Sequence, residues 1–263
     1  MKIRRILAAA LILSLGALSG SALARTANPP AESSYSTVLY NPETQAVLYN
    51  DDCELELPIA SITKIMTALV VVENCRLNDT LTFKSEWQVE GSSSGFAPGT
   101  EYTARQMLYA LLLTSGNDAA VGLAEFTSGS VEAFADLMNA KAQELGLTHT
   151  HFVNPHGLDA NGHYSSALDM AKLTAAAMNN QKFALVASTK EARVGGIFFR
   201  NHNKLLWETP GVIGVKTGYT AKAGRTLVTM AVRDGVTLIC VTLKDADDWK
   251  DHTALYDWGF SNS

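Results

Sequence analysis

Hydrophobic and polar positions keep a strand-like pattern at both ends of this chain and a helical period between them. Runs at 35–40 and 45–50 flank Asn41-Pro42-Glu43-Thr44, which predicts a β-hairpin. From Pro58 to Val72, apolar residues at Ile62, Ile65, Met66, Leu69 and Val70 hold the i, i+3, i+4, i+7, i+8 spacing, and most other positions are small or apolar. That pattern predicts a helix buried on nearly every side, opening at Ser61. Gly91-Ser92-Ser93-Ser94-Gly95 reads as an exposed loop. A helix over 103–113 ends at Thr114-Ser115-Gly116-Asn117, a second runs through 119–126, and Ser130 caps a third that Gly146 terminates. Residues 148–164 read as an ordered loop, and Ser166-Ala167-Leu168-Asp169 as a capping-box start for a helix to about Asn179.

The last third returns to strands. A run at 211–216 leads into Thr217-Gly218, 225–232 pairs with 236–243 through Asp234-Gly235, and 247–258 forms a closing helix. The N-terminal hairpin and three late strands make one antiparallel sheet of about five strands flanked by helices. A mainly helical subdomain, at about 75–185, is inserted between them. The fold class is α+β, in a domain spanning 35–260 after a linker at 25–34 and before a tail at 261–263.

Composition adds a compartment. Residues 1–24 have the form of a signal peptide: Lys2, Arg4 and Arg5, an apolar run too short for a confident membrane span, then Ala22-Leu23-Ala24 as a cleavage site. The chain is therefore expected to be exported, to the cell wall or periplasm, with membrane association only if that segment is retained. Its removal takes the formal net charge from −5 to −8, and an acidic chain without a basic run argues against a nucleic-acid partner. Cys53, Cys75 and Cys240 are an odd count, so at least one is unpaired; a Cys53–Cys75 bridge across the Ser61 helix stays open.

Ser61 and Lys64 are the first candidate chemistry. Either Ser61 is a helix cap and Lys64 a solvated side chain, or burial strips hydration from the Lys64 ammonium and makes it a base beside an activated Ser61 hydroxyl. Ser115-Gly116-Asn117 sits at a turn between apolar helices, where a hydroxyl and an amide can face a cleft. Lys216-Thr217-Gly218 ends an apolar strand, where glycine lets a peptide backbone lie close. Together they match, in order, the S-x-x-K, S-D-N and K-T-G set of penicillin-interacting enzymes, with Gly116 in place of the Asp. Each motif occurs once.

The chain resembles the D-alanyl-D-alanine carboxypeptidases, low-molecular-mass penicillin-binding proteins of the S11 serine peptidase family. The stretches around Ser115, Asn154-Pro155-His156-Gly157 and Lys216 carry the likeness over about 35–260. The resemblance implies the fold of serine β-lactamases and penicillin-binding proteins. It also implies a peptidoglycan stem peptide ending in D-Ala-D-Ala as substrate, β-lactams as covalent inhibitors, and no cofactor or metal. Ser61, Lys64, Ser115, Asn117 and Lys216 would be catalytic, and Thr217, Gly218 and Tyr219 substrate-binding, with the backbone N–H groups of Ser61 and Tyr219 holding the oxyanion.

Rivals on the same machinery are a β-lactamase and a D,D-transpeptidase or endopeptidase; a non-catalytic wall-binding module is a rival of another class. A class A β-lactamase needs a Glu before the third motif, and none stands between Leu145 and Lys190. His149 and His151 offer metal ligands without a completing set, His156, Asp159 and His163 are expected to brace the loop, and Arg225 either holds a carboxylate or is structural.

Overall fold

The computed structural model describes residues 28–263, so the signal-peptide reading lies outside the described residues. Strand β1 (Ser36–Asn41) is buried at every position because it lies between β2 (Ala46–Asp51) and β9 (Val236–Asp245). With β7 (Val212–Thr220) and β8 (Gly224–Arg233) these form a five-stranded antiparallel sheet in the order β2-β1-β9-β8-β7. The β8–β9 hairpin turns at Asp234 and Gly235, both at positive φ (50° and 81°), the geometry that Asp-Gly favours. Alternation along β1 splits the core. Leu39 faces the closing helix α8 (Asp248–Ser261), with Leu227, Leu238 and Tyr256, while Val38 faces the opposite layer with Val228, Ile239 and Val241.

That layer is built on α1 (Lys64–Asn74), buried from Lys64 through Val72. It touches α2 (Ala104–Leu113), α3 (Asn117–Ser128), α4 (Val131–Glu144), α5 (Ala167–Asn179) and α6 (Gln181–Ala187), which explains why its sequence lacks a polar face. Thr103 caps α2 in a reciprocal box with Gln106, and Ser130 and Ser166 cap α4 and α5. No helix among the described residues is long and apolar enough to cross a membrane.

Several expectations change. Ser61 opens no α-helix: Ala60–Thr63 is a 3-10 turn, Ser61 makes no capping hydrogen bond, and α1 begins at Lys64. Lys216-Thr217-Gly218 lies within β7 rather than at its end, because pairing with β8 continues to Thr220. The short ladder of β3 (Thr80–Thr82) with β4 (Glu101–Thr103), the hairpin of β5 (Glu191–Val194) with β6 (Ile197–Arg200), α6 and α7 (Leu205–Glu208) are further elements that the periodicity does not reveal. All three cysteines are free, so Cys53 and Cys75 are not bridged.

Two buried histidines tie layers together, and a third, half-buried, secures its own loop. His252 of α8 bonds Thr229 and Thr242 on adjacent strands, His163 bonds Thr63 Oγ1 and accepts from Val153 N, and His156 Nδ1 accepts from Leu158 N. Burial lowers their pKa values to about 3 (His252), about 4 (His163) and about 3 (His156). Between those values and 6.5 the unfolded chain binds protons that the folded chain does not, so acidification through this window lowers stability. Asp245, raised to about 6 by burial, and Asp248, also raised by burial, act oppositely, two groups against the three histidines. Thermal melts should show a midpoint falling from pH 7 to pH 4, with a shallower slope in His252→Gln; equal slopes would reject this origin.

Candidate active site

The 3-10 turn holds Ser61 between two anchors. Thr63 Oγ1 donates to Ala60 O at 2.8 Å, and Thr226 Oγ1 of β8 donates to Ile59 O at 3.0 Å. One α-helical turn further in, the fully buried Lys64 Nζ lies 2.8 Å from Ser61 Oγ, 2.7 Å from Asn117 Oδ1 and 2.6 Å from His156 O. Asn117 Nδ2 donates to Glu90 O at 2.7 Å, which fixes the amide so that its oxygen faces Lys64. Two of the three Nζ partners are therefore obligate acceptors. A neutral amine donates to both and turns its lone pair toward the Ser61 hydroxyl. Burial holds the Lys64 pKa well below its usual value, and repulsion from Lys216 lowers it further.

The His156 carbonyl is available only because of Gly157. That residue has φ +89°, and a Cβ there would sit 1.9 Å from Ala60 O. Behind it, Asn154 Oδ1 accepts from Gly157 N at 2.7 Å, and Thr67 Oγ1 donates to Pro155 O. Asp159 Oδ1 accepts from Thr220 at the end of β7. His156, Asp159 and His163 thus brace the loop against α1 and β7. His149 reaches Glu56 and His151 reaches Gly162 O, and no metal-competent cluster of His, Cys, Asp and Glu occurs among the described residues.

Ser115 sits in the left-handed region (φ 62°), a conformation that a non-glycine residue occupies at a cost of order 1 kcal/mol or more. It is buried, and its hydroxyl has no hydrogen-bond partner among the described residues. The departure at Gly116 has a steric reason: a Cβ there would meet Asp118 Oδ1 at 2.9 Å and Ser94 Cβ at 3.2 Å. Asp118 supplies a carboxylate two residues later, accepting from Ser93 Oγ, Ser94 N and Ser94 Oγ, while Asn117 N donates to Ser92 O. The serine-rich segment is exposed as expected, yet it is pinned against the site.

Lys216, 1% exposed, donates to Thr217 O at 2.8 Å, and burial lowers its pKa to about 7. Gly218 packs on the Ser61 backbone, since a Cβ there would lie 2.9 Å from Ser61 N and 2.4 Å from Thr226 Oγ1. Ser61, Ser92, Ser115, Thr217, Gly218 and Tyr219 line a cleft of about 340 Å³, closed on its far side by His202, Arg225, Asp248 and Trp249. The Arg225 guanidinium reaches Asp248 Oδ1 through Nε at 2.9 Å and Nη2 at 2.6 Å, so it is anchored by a buried carboxylate at the cleft wall. The eight residues singled out from sequence thus gather at one place: Ser61, Ser115, Thr217, Gly218 and Tyr219 line the cleft, Lys216 is buried in β7 next to Thr217, and Lys64 and Asn117 lie directly behind Ser61. Sequence reasoning passed over the His156 carbonyl, Gly157, Asp118, Ser92, His202, Asp248 and Trp249. Of these, His156, Gly157 and Asp118 lay in stretches already marked as informative.

The family model of the D-alanyl-D-alanine carboxypeptidases, peptidase S11, matches residues 23–247. D-alanyl-D-alanine carboxypeptidase DacF of Bacillus subtilis is 37% identical over 246 residues, covering 88% of this chain; this chain spans 63% of that relative. A D-alanyl-D-alanine carboxypeptidase structure from Mycobacterium tuberculosis superposes with a TM-score of 0.85 at 35% identity, covering 90% of this chain and 95% of that one. The Streptomyces K15 DD-transpeptidase gives 0.85 at 31% identity, over 89% of this chain and all of that one.

The buried amine yields a direct check. In a protein with labelled lysines, Lys64 should titrate well below 10.5 by NMR and should move upward in Lys216→Gln, as a repelling charge is removed. A Lys64 titration at the free-lysine value would reject this description of the site.

Proposed function

The chain belongs to the D-alanyl-D-alanine carboxypeptidase family, and from that premise we propose that it removes the terminal D-alanine from peptidoglycan stem peptides through an acyl-enzyme on Ser61. The observation that carries this is the Lys64 amine, held 2.8 Å from Ser61 Oγ by two carbonyl acceptors. Ser61 Oγ attacks the carbonyl carbon between the two D-alanines as Lys64 takes its proton. The backbone N–H groups of Ser61 and Tyr219 receive the oxyanion, each worth about 3 kcal/mol in the transition state. Ser115 and Lys216 pass a proton to the leaving amine, and D-alanine departs. Asn117 orients the peptide amide, while Thr217 and Lys216 receive the terminal carboxylate, with Gly218 giving the backbone room. Water then releases the shortened stem.

Export is part of this reading, because the substrate lies outside the cytoplasm and residues 1–24 have signal-peptide form. A D,D-transpeptidase shares every step up to the acyl-enzyme and differs in the acceptor; the likeness to the Streptomyces K15 enzyme favours keeping it as a second reading. A β-lactamase is disfavoured by residues 145–190, the segment from the end of α4 through α5 and α6, which holds no Glu. Its Asp169 is engaged with His149 N and Thr150 Oγ1, Asp159 with Thr220, and neither lines the cleft.

Purified protein incubated with a D-Ala-D-Ala-terminated pentapeptide should release free D-alanine, and Ser61→Ala should abolish the release, a loss of at least about 10³-fold. No release from the unmutated protein would sink the carboxypeptidase reading, and an added amine acceptor captured in preference to water would favour the transpeptidase. Penicillin should acylate Ser61 and persist for many minutes by intact-mass spectrometry; rapid return of the free protein mass would overturn the β-lactamase exclusion.

A further inference from the structure

The six histidines separate into two groups. Five have ring nitrogens engaged: His149 with Glu56, His151 with Gly162 O, His156 with Leu158 N, His163 with Thr63 and Val153 N, and His252 with Thr229 and Thr242. The ring of His202 has no hydrogen-bond partner among the described residues, and it lines the cleft with Ser115 and Thr217.

Its placement is enforced from both sides. Asn201 and Asn203 are buried, at 6% and 0% exposure, while His202 between them is exposed. Asn201 Nδ2 donates to Thr189 O at 3.1 Å and its Oδ1 accepts from Asn203 N at 2.9 Å; Asn203 Oδ1 accepts from Leu205 N at 3.1 Å. His202 N donates to Leu113 O at 3.0 Å, two residues before Ser115. With its neighbours locked inward, the ring is left facing the cleft, and both its nitrogens are free for a ligand.

Building on the carboxypeptidase reading, we propose that His202 is a specificity-determining residue of the leaving-group side, hydrogen-bonding the α-carboxylate of the departing D-alanine and so favouring peptides with a free acid end over those ending in an amide. Charge supports the assignment. The other ionisable groups of this region are Lys216 and Tyr219 of β7, Arg225 of β8 already paired with Asp248 of α8, Lys204 before α7, and Lys64 behind Ser61. The surrounding protein, and then the Lys216 charge, hold the His202 pKa below 6.5. An anion arriving between the two bases reverses that repulsion and draws a proton onto the ring.

The experiment uses labelled histidine in full-length Ser61→Ala protein, which binds peptide without turning it over. Saturation with a D-Ala-D-Ala peptide bearing a free carboxylate should raise the His202 NMR titration midpoint, and the C-terminal amide should not. An unchanged midpoint with the free acid, or equal shifts with both, would overturn the proposal. In the catalytic protein, kcat/KM for the acid relative to the amide should fall about tenfold in His202→Gln, the loss expected for one charge-assisted hydrogen bond, and return in His202→Lys with a flatter pH profile. An equal loss on both peptides would mark a structural role and refute it. Because the titration needs no turnover, it reads out even if no D-alanine is released, keeping this failure separate from failure of the carboxypeptidase reading.

Discussion

One hydrogen-bond constraint governs this molecule: an amine inside the protein, facing two carbonyl oxygens that can only accept and one hydroxyl that can do either. The two acceptors, Asn117 Oδ1 and His156 O, come from segments far apart in sequence, and each is immobilised by its own network. Moving either one would leave one Lys64 N–H without its acceptor inside the protein, at the cost of a buried unsatisfied donor. The Glu90 carbonyl, the Gly157 backbone, and the Asp118 carboxylate that pins Ser93 and Ser94 therefore serve one geometry.

The sheet supplies the opposite wall. Residues Lys216, Thr217 and Gly218 lie in β7, whose register with β8 places Thr226 opposite Gly218 and brings the Thr226 hydroxyl to Ile59 O. The same strand pair that positions a second buried cation thus fixes the turn bearing the nucleophile. Two lysines of like charge are kept near each other, and burial keeps both below their ordinary pKa values.

The long apolar helix, the caps at Ser130 and Ser166, the Asp-Gly hairpin and the three motifs were legible because each rests on local spacing. What was not legible rests on contacts between distant residues. The 3-10 turn at Ser61 follows from anchoring by Thr63 and Thr226, which no periodicity encodes. A backbone carbonyl such as that of His156 has no side-chain signature at all. Gly116 looked like a departure from a motif, yet it leaves room for Asp118 and Ser94, so a carboxylate stands two positions further on rather than at the motif's own place. The β5–β6 hairpin carried a readable Gly195-Gly196 turn, but its four-residue strands were too short to register as alternation.

The interaction at Lys64 spans 53 residues to Asn117 and 92 to His156, and the turn before it is secured by a hydroxyl 167 residues away. Contacts of such separation form late, after loop closure has been paid for in chain entropy. Lys64 departs from an ordinary hydrated ammonium only once those walls have closed around it, so the emerging or half-folded chain carries a serine no more reactive than any other. Its nucleophile is armed by completion of the fold itself.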